Sequence, residues 1–403
     1  MNKNTTSTVR ALALLGVVGA GVVMSASAQA GGTTLGAMGD SLTDEYFEES
    51  YSYAQNWVQQ LAVYRGIDVG PTAAEAGQPG GTWGEPRRTG YGYNWARSGA
   101  TSASLLGDGQ HTGLADQIAP NGINYAVLAI GANDFIAIPL PGYAYYEIYH
   151  GNWTPQQIEN YVQQILANIN TALVTVLETD VELVLVNVLD YGLLPTVWGS
   201  PFFSDPDKRQ LVADVIAQVN DGVADLACDH QLVLFDASGF AQVVFGTHHG
   251  LHEFLILGNV SIQLWESDSA ANNNPFAGFV HDGVHPHTHL QGVMANLILE
   301  AFNIGYGTAV PLFSEQEILE HAGIAYGGKD TLQSQIGRYS DFVFNFALSG
   351  DLDCDGVVAI LDLLALLAAW GACPDPPDPC AADLDGDGNV GILDLLTLLA
   401  NWG

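Results

Sequence analysis

Apolar runs of strand length alternate with longer amphipathic segments through residues 33–302. Two of the runs, 33–38 and 125–130, are continuous, and continuous runs bounded by turn residues are typical of strands buried on both faces. Strands that alternate with helices imply a parallel sheet. The pattern therefore predicts an α/β fold, with strands at 33–38, 125–130, 181–189 and 232–235 and helices at 53–64, 154–178, 207–227 and 288–302.

Side chains that cap main-chain N–H groups mark two of the predicted helix starts. Thr154 is followed at once by a proline and, three positions after the cap, by Gln157, which is typical of the first turn of a helix. Ser314 and Glu317 form a second capping box, in a stretch expected to wrap the preceding fold. Segment 236–280 is rich in Gly, Asn and aromatic residues, and so long a connection is predicted to be a lid or a pocket wall.

Three turn sequences follow runs of strand character. Gly-Asp-Ser-Leu, which contains Ser41, ends the first run, and Gly-Ala-Asn-Asp, which contains Asn133, ends the second. Ser-Gly-Ala-Thr, which contains Gly99, follows a weaker aromatic run at 91–95. Because ligands bind at the carboxyl ends of parallel strands, the three turns are expected to share one site. Turns of this kind can direct an amide or a main-chain N–H at a developing oxyanion.

A fourth block, Asp-Gly-Val-His, supplies Asp282 and His285 near the end of the same segment. A serine hydroxyl is a poor nucleophile at neutral pH, so it needs a neutral imidazole to take its proton and a carboxylate to hold that ring. Residues three apart lie on one face of a helical turn, so Asp282 can reach the ring nitrogen of His285 that is turned away from Ser41. No serine has glycines two positions away on both sides, so the nucleophile elbow of α/β-hydrolases is absent.

In this order the four blocks resemble the SGNH, or GDSL-type, hydrolases, a family of ester hydrolases named for the Ser, Gly, Asn and His of these blocks. The resemblance covers about residues 33–305 and implies a three-layer, flavodoxin-like α/β sandwich with a five-stranded parallel sheet. It also implies a nucleophile at Ser41, oxyanion donors at Ser41 N–H, Gly99 and Asn133, and an Asp–His pair at Asp282 and His285. The family spans lipases, thioesterases, arylesterases and carbohydrate acetylesterases, so the fold does not select the substrate.

Other readings of the same segment stay open at this point. The histidines at 281, 285, 287 and 289 are close enough in sequence to suggest zinc, although no carboxylate or cysteine spacing completes a zinc signature. Tyr143, Tyr145 and Tyr146 are candidates either for a substrate groove or for a solvent-facing cluster. A different class of function is a calcium-dependent surface or adhesion protein whose hydrolase fold is catalytically idle.

The first thirty residues are predicted to be a secretory signal peptide. Lys3 and Arg10 lie in a polar start, residues 11–23 are apolar but too short to span a bilayer, and residues 28–30 offer a small-residue cleavage site. Without this leader the formal balance of charges is −36, which repels nucleic acid and anionic membranes and favours divalent cations. We therefore expect a secreted, extracellular or surface-associated protein without nucleic-acid partners and not an integral membrane protein. Acidic surfaces are also typical of adaptation to a saline habitat.

A duplicated acidic segment begins near residue 350, where the composition changes. Residues 351–371 recur as 383–403 with 16 of 21 positions identical, and 351–403 contains ten Asp but no Lys or Arg. Each copy places acids at positions 1, 3, 5 and 12 and a glycine at position 6, which is the EF-hand layout with Asp in place of Glu at position 12. Position 7, where that layout uses the main-chain carbonyl, is Val357 or Asn389. The predicted Ca²⁺ ligands are Asp351, Asp353, Asp355, Val357 and Asp362 in one loop and Asp383, Asp385, Asp387, Asn389 and Asp394 in the other.

Each loop leads into one leucine-rich helix, and a duplicated loop–helix of this kind resembles a type I dockerin. The resemblance implies a small all-α calcium-binding module that docks onto a cohesin-like domain of a scaffold or cell-surface protein. Position 9, polar in most dockerins, is Ala359 or Gly391 here. The predicted domains are a signal peptide at 1–30, a hydrolase at 31–349 and a dockerin-like module at 350–403.

The module is small enough to need metal or disulfides to fold. Cys373 and Cys380 bracket a proline-rich stretch and are the favoured pair in an exported protein, while Cys228 and Cys354 remain. Four cysteines allow three connectivities, and the sequence does not choose among them. Taken together, the expected function is that of a secreted serine hydrolase that cleaves acyl or acetyl esters, either polysaccharide-linked or lipid, with structural Ca²⁺ and no catalytic cofactor.

Overall fold

A five-stranded sheet lies at the centre of the computed structural model, which describes residues 32–373, 380–385 and 387–403. Its strand order is β1-β2-β3-β4-β10, and the first four strands are parallel. Short strands elsewhere form a three-stranded sheet and two hairpin-like pairs. The strands are β1 (Leu35–Gly39), β2 (Tyr125–Ala129), β3 (Glu182–Val186), β4 (Val233–Phe235), β5 (Gly246–Thr247), β6 (Gly250–Leu251), β7 (Phe254–Leu257), β8 (Val260–Ser267), β9 (Ala277–Phe279), β10 (Val343–Asn345), β11 (Gly371–Ala372) and β12 (Asn389–Val390).

Helices connect the parallel strands as the sequence pattern predicted. The capping box at Thr154 is present, and so is the one at Ser314. The helix predicted at 53–64 is one α-helical turn that continues as a π-helical segment, Leu61–Arg65. The α-helices are α1 (Trp57–Gln60), α2 (Ser102–Gly107), α3 (Gln110–Asn121), α4 (Ala144–Tyr149), α5 (Pro155–Leu177), α6 (Pro195–Trp198), α7 (Pro206–Asp229), α8 (Ala237–Phe245), α9 (Thr288–Tyr306), α10 (Glu315–His321), α11 (Gln333–Ile336), α12 (Ile360–Ala368) and α13 (Ile392–Ala400).

The two faces of the sheet bury separate hydrophobic clusters, which gives the three layers expected of the fold. Alternate residues of β3 belong to opposite clusters: Val184 packs with α1 and α9, whereas Leu183 and Leu185 pack with α3, α5 and α7. Both sets are almost fully buried. The central strands are therefore apolar on both faces, which is why they appear in the sequence as continuous runs.

The fifth strand departs from the all-parallel sheet that the family resemblance implied. β10 is antiparallel to β4, because the chain reaches the sheet beside the carboxyl end of β4, where Asp236 N–H donates to the carbonyl of Phe342 at 2.9 Å. At the other edge, the aromatic run at 91–95 forms only isolated bridges, among them the parallel bridge between Ala37 and Asn94. That run still lies beside β1 and delivers the turn that carries Gly99 to the carboxyl ends of the strands.

Segment 236–280 is more ordered than the long connection predicted from its composition. It contains α8, the pair β5–β6 and the sheet β7-β8-β9. β7 and β8 are joined by Gly258 and Asn259, both at positive φ, a two-residue turn that is a hairpin signal in sequence. The prediction that this segment forms a pocket wall is examined with the site below.

The C-terminal repeats form two loop–helix units held by a small core. α12 and α13 pack together, and β11 pairs with β12. Disulfides join Cys373 to Cys380 and Cys228 to Cys354, which selects one of the three possible connectivities. The small core consists of Val358, Leu366, Ala382, Val390 and Leu398.

Within the ranges given above, no helix has both the length and the apolar character that a membrane span requires. The predicted signal peptide, 1–30, and the proline-rich stretch, 374–379, lie outside the described residues.

Candidate active site and calcium loops

Ser41 lies in a tight turn directly after β1. A side chain at Gly39 would collide with the carbonyl oxygen of Ala129 in the neighbouring strand, so this position requires glycine. Gln110, buried at the start of α3, holds the same residue through two hydrogen bonds: its Oε1 accepts from Gly39 N–H at 2.9 Å, and its Nε2 donates to Gly39 O at 3.1 Å. The strand end that presents Ser41 is therefore fixed from two sides.

The residue before Ser41 shapes the turn itself. Asp40 Oδ1 accepts from the N–H of Leu42 at 3.0 Å, and Asp40 O accepts from the N–H groups of Thr43 and Asp44. Burial raises the pKa of Asp40 to about 6, although the bond from Leu42 and the charge of His285 act in the opposite direction. The buried carboxyl group of Asp40 thus stabilises the turn that contains Ser41.

Asp282 and His285 form a close pair in a turn after β9. His285 Nδ1 lies 2.6 Å from Asp282 Oδ2, while Asp282 Oδ1 accepts from the N–H groups of Val284 (2.8 Å) and His285 (3.0 Å). Burial alone raises the pKa of Asp282, but the hydrogen bond and charge of His285 outweigh it and lower the pKa below its ordinary value. Asp282 is therefore a carboxylate, and His285 carries its proton on Nδ1.

His285 and Ser41 line the same cavity. His285 Nε2 is buried and has no hydrogen-bond partner among the described residues, and no hydrogen bond joins it to Ser41 Oγ. The ring is held by aromatic contacts: Tyr51 stacks on it at 4.7 Å between ring centroids, and Tyr46 meets it edge-on at 6.0 Å. Hydrogen bonds at catalytic sites are commonly long before substrate binds and shorten in the complex.

Main-chain donors face the same cavity. Gly99 has φ +80°, a conformation that favours glycine. Within the described part of the chain, the N–H groups of Ser41 and Gly99 donate to no protein acceptor. Asn133 lines the cavity as well, and its Nδ2 donates to Ala100 O at 3.1 Å, which leaves its second N–H available. Unpaired donors at one end of a cavity can bind a developing negative charge.

Sequence reasoning missed the residues that lock these turns together. Asp134 binds the start of α2: its carboxylate accepts from Ser102 N–H at 2.8 Å and from Ser102 Oγ–H at 2.9 Å. Asn168 of α5 donates to Ser102 Oγ at 3.0 Å. Asp44 Oδ2 accepts from Ser98 N–H at 2.7 Å and so joins the Ser41 turn to the Gly99 turn. The only sequence signal was that Asp134 and Asp44 lie one and three residues from predicted site residues.

The cavity next to Ser41 has a volume of about 240 Å³. Ser41, Gly99, Asn133 and His285 line it, and Asp282 lies behind His285. α8 forms part of the wall, as expected of segment 236–280. The polar residues at its mouth lie at the carboxyl ends of β1 and β2, where the alternation of strands and helices placed the site.

The four histidines of the zinc hypothesis have separate partners. His287 Nε2 lies 3.3 Å from Asp268, and His289 Nε2 lies 2.9 Å from Ala277 O. Burial, and then the charge of His287, lowers the pKa of His289 to about 3. Among the described residues, no cluster of three metal-ligating side chains includes a histidine. The candidate tyrosines do not line the cavity: Tyr145 is fully buried against Phe203.

Each acidic loop brings three of its four predicted carboxylate ligands together. Oxygens of Asp351, Asp353 and Asp355 lie within 4.8 Å of one another, and so do those of Asp383, Asp385 and Asp394. Asp351 Oδ1 is buried and has no hydrogen-bond partner among the described residues. Burial, and then the charge of Asp362, raises the pKa of both Asp351 and Asp353. Such oxygen sets fit a hard divalent cation.

The two loops differ at their remaining acidic positions. Asp362 lies outside the first cluster and accepts from the N–H groups of Leu352 (2.6 Å), Asp353 (3.0 Å) and Ala359 (2.6 Å). Asp387 lies outside the second cluster and accepts from Asn389 N–H at 2.8 Å. Both loops turn at a glycine with φ +85°, Gly356 or Gly388, as the repeat predicted. The turns are thus formed by main-chain geometry together with these two carboxylates.

Comparisons with known proteins agree with both resemblances. Residues 35–298 match the family described as GDSL-like Lipase/Acylhydrolase, and residues 349–401 match the Dockerin type I domain. No match was found among curated protein sequences. The assignment rests on the first match, which spans more than half of the chain.

Solved structures with similarity to this chain are distant. An acetylxylan esterase variant from Geobacillus stearothermophilus shares 14% identity, with 73% of this chain and 97% of that chain covered and a TM-score of 0.34. A GDSL-like lipase from Bacteroides thetaiotaomicron shares 14% identity, with coverages of 68% and 88% and a TM-score of 0.36. TesA shares 15% identity, with coverages of 68% and 99% and a TM-score of 0.32.

Proposed function

Because this chain belongs to the GDSL-like lipase/acylhydrolase family, a family of ester-cleaving hydrolases, we propose that it hydrolyses carboxylic esters with Ser41 as the nucleophile. His285 is the general base, and Asp282 fixes its tautomer. The N–H groups of Ser41 and Gly99 and the side chain of Asn133 are the oxyanion donors. This assignment uses all four of the sequence blocks.

The reaction follows from the proton positions. In the neutral form of His285 in which Nδ1–H donates to Asp282, Nε2 carries the free lone pair and takes the Ser41 hydroxyl proton as Oγ attacks the ester carbonyl carbon. The carbonyl electrons move to oxygen, where the three donors bind the charge. The alcohol leaves with the proton from His285, and water attacks the acyl–Ser41 ester by the same route. The acid is released and Ser41 is restored.

One observation carries the proposal more than any other. His285 is tied to a carboxylate through one ring nitrogen, its other nitrogen is buried without a partner, and the residue lines the cavity that Ser41 also lines. His248 likewise pairs with an aspartate and has a second ring nitrogen without a partner, but it does not line that cavity, so the position beside Ser41 is what distinguishes His285. Unpaired N–H groups at Ser41 and Gly99 in the same cavity support the same role.

The test compares wild type with Ser41→Ala. We expect Ser41→Ala to lower kcat on a short p-nitrophenyl ester by at least about 10⁴-fold without lowering the melting temperature. Ser334→Ala, which removes an exposed hydroxyl far from the cavity, is the matched control and should retain full activity. A serine-directed phosphonate should label wild type and Ser334→Ala but not Ser41→Ala. Undiminished turnover in Ser41→Ala would reject the assignment, and a wild type that is neither labelled nor active would favour an idle fold that serves adhesion.

For the C-terminal module we propose Ca²⁺ binding and docking outside the cell. Type I dockerins bind calcium and cohesins, and the cluster of three carboxylates in each loop supports the proposal, because such oxygens are suitable Ca²⁺ ligands. The proposed ligands are those named in the sequence analysis, with main-chain oxygens at Val357 and Asn389. This proposal keeps the signal peptide at 1–30 and the domain boundary at 349–350.

The exposed faces of the two helices support docking to a partner. Each loop–helix unit presents five large apolar side chains to solvent at equivalent positions, four on the helix and a tryptophan just after it, so the surface is duplicated like the loops. Exposed apolar patches of this kind mark interaction sites. A cohesin-like partner with an apolar face is therefore expected. The exposed residues are Ile360, Leu361, Leu364, Leu367 and Trp370 on one unit and Ile392, Leu393, Leu396, Leu399 and Trp402 on the other.

A further inference from the structure

The cavity next to Ser41 is lined mainly by apolar residues. Its wall consists largely of hydrocarbon and aromatic side chains from several segments, including α8 and α9, and its carboxyl groups are those of Asp40, next to Ser41, and Asp190. Among the apolar residues are Phe240, Ala241, Val244, Phe279 and Leu290, all of which are almost fully buried. A group that enters beyond the catalytic residues therefore meets apolar atoms.

The one charged residue in the inner wall is already fully engaged. Asp190 Oδ2 lies 2.6 Å from His248 Nε2, and Asp190 Oδ1 accepts from Gly192 N–H at 2.8 Å. Both Asp190 and His248 are buried. The same hydrogen bond to Gly192 N–H stabilises the helical turn Tyr191–Leu193, which supplies apolar side chains to the wall. The inner cavity thus has no free carboxylate to bind a sugar hydroxyl, and burying an unpaired hydroxyl is unfavourable.

The volume of the cavity next to Ser41 fits a hydrocarbon chain of moderate length. An apolar cavity of about 150 Å³ is large enough for benzene, with its six carbon atoms, so 240 Å³ has room in proportion for about ten carbon atoms. A smaller cavity of about 30 Å³ shares Phe235, Ala237 and Met294 with it. An acetyl group has two carbon atoms and would leave most of this apolar surface uncovered.

We propose that this cavity binds the acyl chain of the substrate, and that the preferred substrates are esters of straight-chain acids with about six to ten carbon atoms rather than acetylated polysaccharides. The inference rests on the proposed function, because it requires attack by Ser41 at the mouth of the cavity. The acyl carbonyl lies among the oxyanion donors, the hydrocarbon chain extends toward α8, and the alcohol remains on the solvent side.

The test measures kcat/KM of the full-length protein with Ca²⁺ on p-nitrophenyl esters from acetyl to palmitoyl. Burial of one methylene group corresponds to about a fourfold gain in transition-state binding, so six additional methylene groups should raise kcat/KM by at least about 100-fold from acetyl to octanoyl. The values should fall again beyond about twelve carbon atoms. Acetylated xylan and pectin, the second arm, should release little acetate.

A pair of variants tests whether α8 sets the chain length. Ala241→Phe fills the cavity wall, and it should lower the ratio of octanoyl to acetyl kcat/KM at least tenfold. Val243→Phe lies on the same helix but is exposed and does not line the cavity, so it should leave the ratio within about twofold of wild type. Melting temperatures report whether either variant is folded, and if Ala241→Phe is not, Ala241→Leu replaces it.

The outcomes separate this inference from the proposed function. The highest kcat/KM on the acetyl ester, or efficient deacetylation of xylan, overturns the acyl pocket while leaving Ser41 as the nucleophile. An unchanged octanoyl-to-acetyl ratio in a folded Ala241→Phe or Ala241→Leu variant also overturns it. No hydrolysis at any chain length, together with no phosphonate labelling, rejects the proposed function itself.

Discussion

Clusters of three carboxylates lie in two parts of this chain, one in the hydrolase body and two in the C-terminal module, and the surroundings of their charges differ. In the hydrolase body, Asp44, Glu45 and Glu48 bring oxygens within 4.8 Å of one another, and Arg88 binds Asp44 and Glu48 at 3.0 Å each. In the C-terminal module, Asp351 and its neighbours are equally close, but from residue 351 to the end the sequence contains no Lys or Arg.

The difference shows what each region needs in order to fold. Burial alone disfavours the charge of Arg88, but nearby carboxylates, led by Glu49, raise its pKa above the ordinary value, so the body carries its own counterion. Burial raises the pKa of Glu45 to about 8, which keeps that carboxyl neutral near pH 7. The module has no Lys or Arg from residue 351 onward, so its carboxylates depend on a cation from solution. The predictions below test this contrast.

The largest expected effect is that of Asp282→Asn in the body. An amide cannot hold His285 in the required tautomer, so we expect kcat for ester hydrolysis to fall by about 10⁴-fold, or about 5 kcal/mol. Calorimetric titration should show unchanged Ca²⁺ binding, because the loops lie in the other region. A variant with near wild-type turnover would contradict the assigned pair. Since the base must be neutral, wild-type activity should also fall in acid.

Glu45→Gln should change how stability depends on pH. The folded pKa of about 8 exceeds the ordinary value of 4.5, so between these values the unfolded chain releases a proton that the folded chain retains. Wild-type stability should therefore fall as pH rises from about 4.5 to 8, by about 5 kcal/mol in total.

The glutamine variant removes this titration and can still accept from Tyr91 N–H. Urea unfolding at pH 5 and pH 8.5 should show a higher free energy of unfolding for Glu45→Gln than for wild type at the higher pH only. Glu320→Gln, an exposed control, should follow wild type at both values. If the free energy of unfolding changed equally with pH in wild type and Glu45→Gln, Glu45 would be ionised in the folded body.

Removal of calcium should unfold the module and spare the body. A ligand present at about a thousand times its Kd contributes about 4 kcal/mol to folding stability. We expect a chelator to abolish hydrogen-exchange protection in residues 351–403 while kcat/KM for esters changes less than twofold. The double variant Asp351→Ala/Asp383→Ala should show the same loss in the presence of Ca²⁺. Loss of hydrolysis in parallel with calcium would mean that the two regions are not independent.

The smallest effect concerns the covalent link between the regions. Cys354 lies between two predicted calcium ligands, and its disulfide to Cys228 at the end of α7 closes a separation of 126 residues. Cys228→Ser/Cys354→Ser should lower stability by about 3 kcal/mol in denaturant unfolding. It should also weaken Ca²⁺ binding in the first loop more than in the second, as titration would show. Equal affinities before and after the change would mean that the link does not order the loop.

Parts of the fold and site were predictable because they depend on local chemistry. α5 and α10 begin at their predicted caps, since a capping box involves residues three apart. The hairpin of β7 and β8 had a local signal at Gly258 and Asn259 that composition obscured. The antiparallel β10 had none, because its direction depends on where the chain returns to β4.

The sequence by itself determined the alternation of strands and helices, the four motif blocks and the paired acidic loops, because each depends on residue types at short, regular spacing. Only the tertiary structure decided which N–H groups stay unpaired beside Ser41, which cysteines join, and that Arg88 lies against the acids of the body. It also decided the depth and apolar wall of the cavity. These properties depend on burial and on contacts between residues far apart in sequence, which no local spacing records.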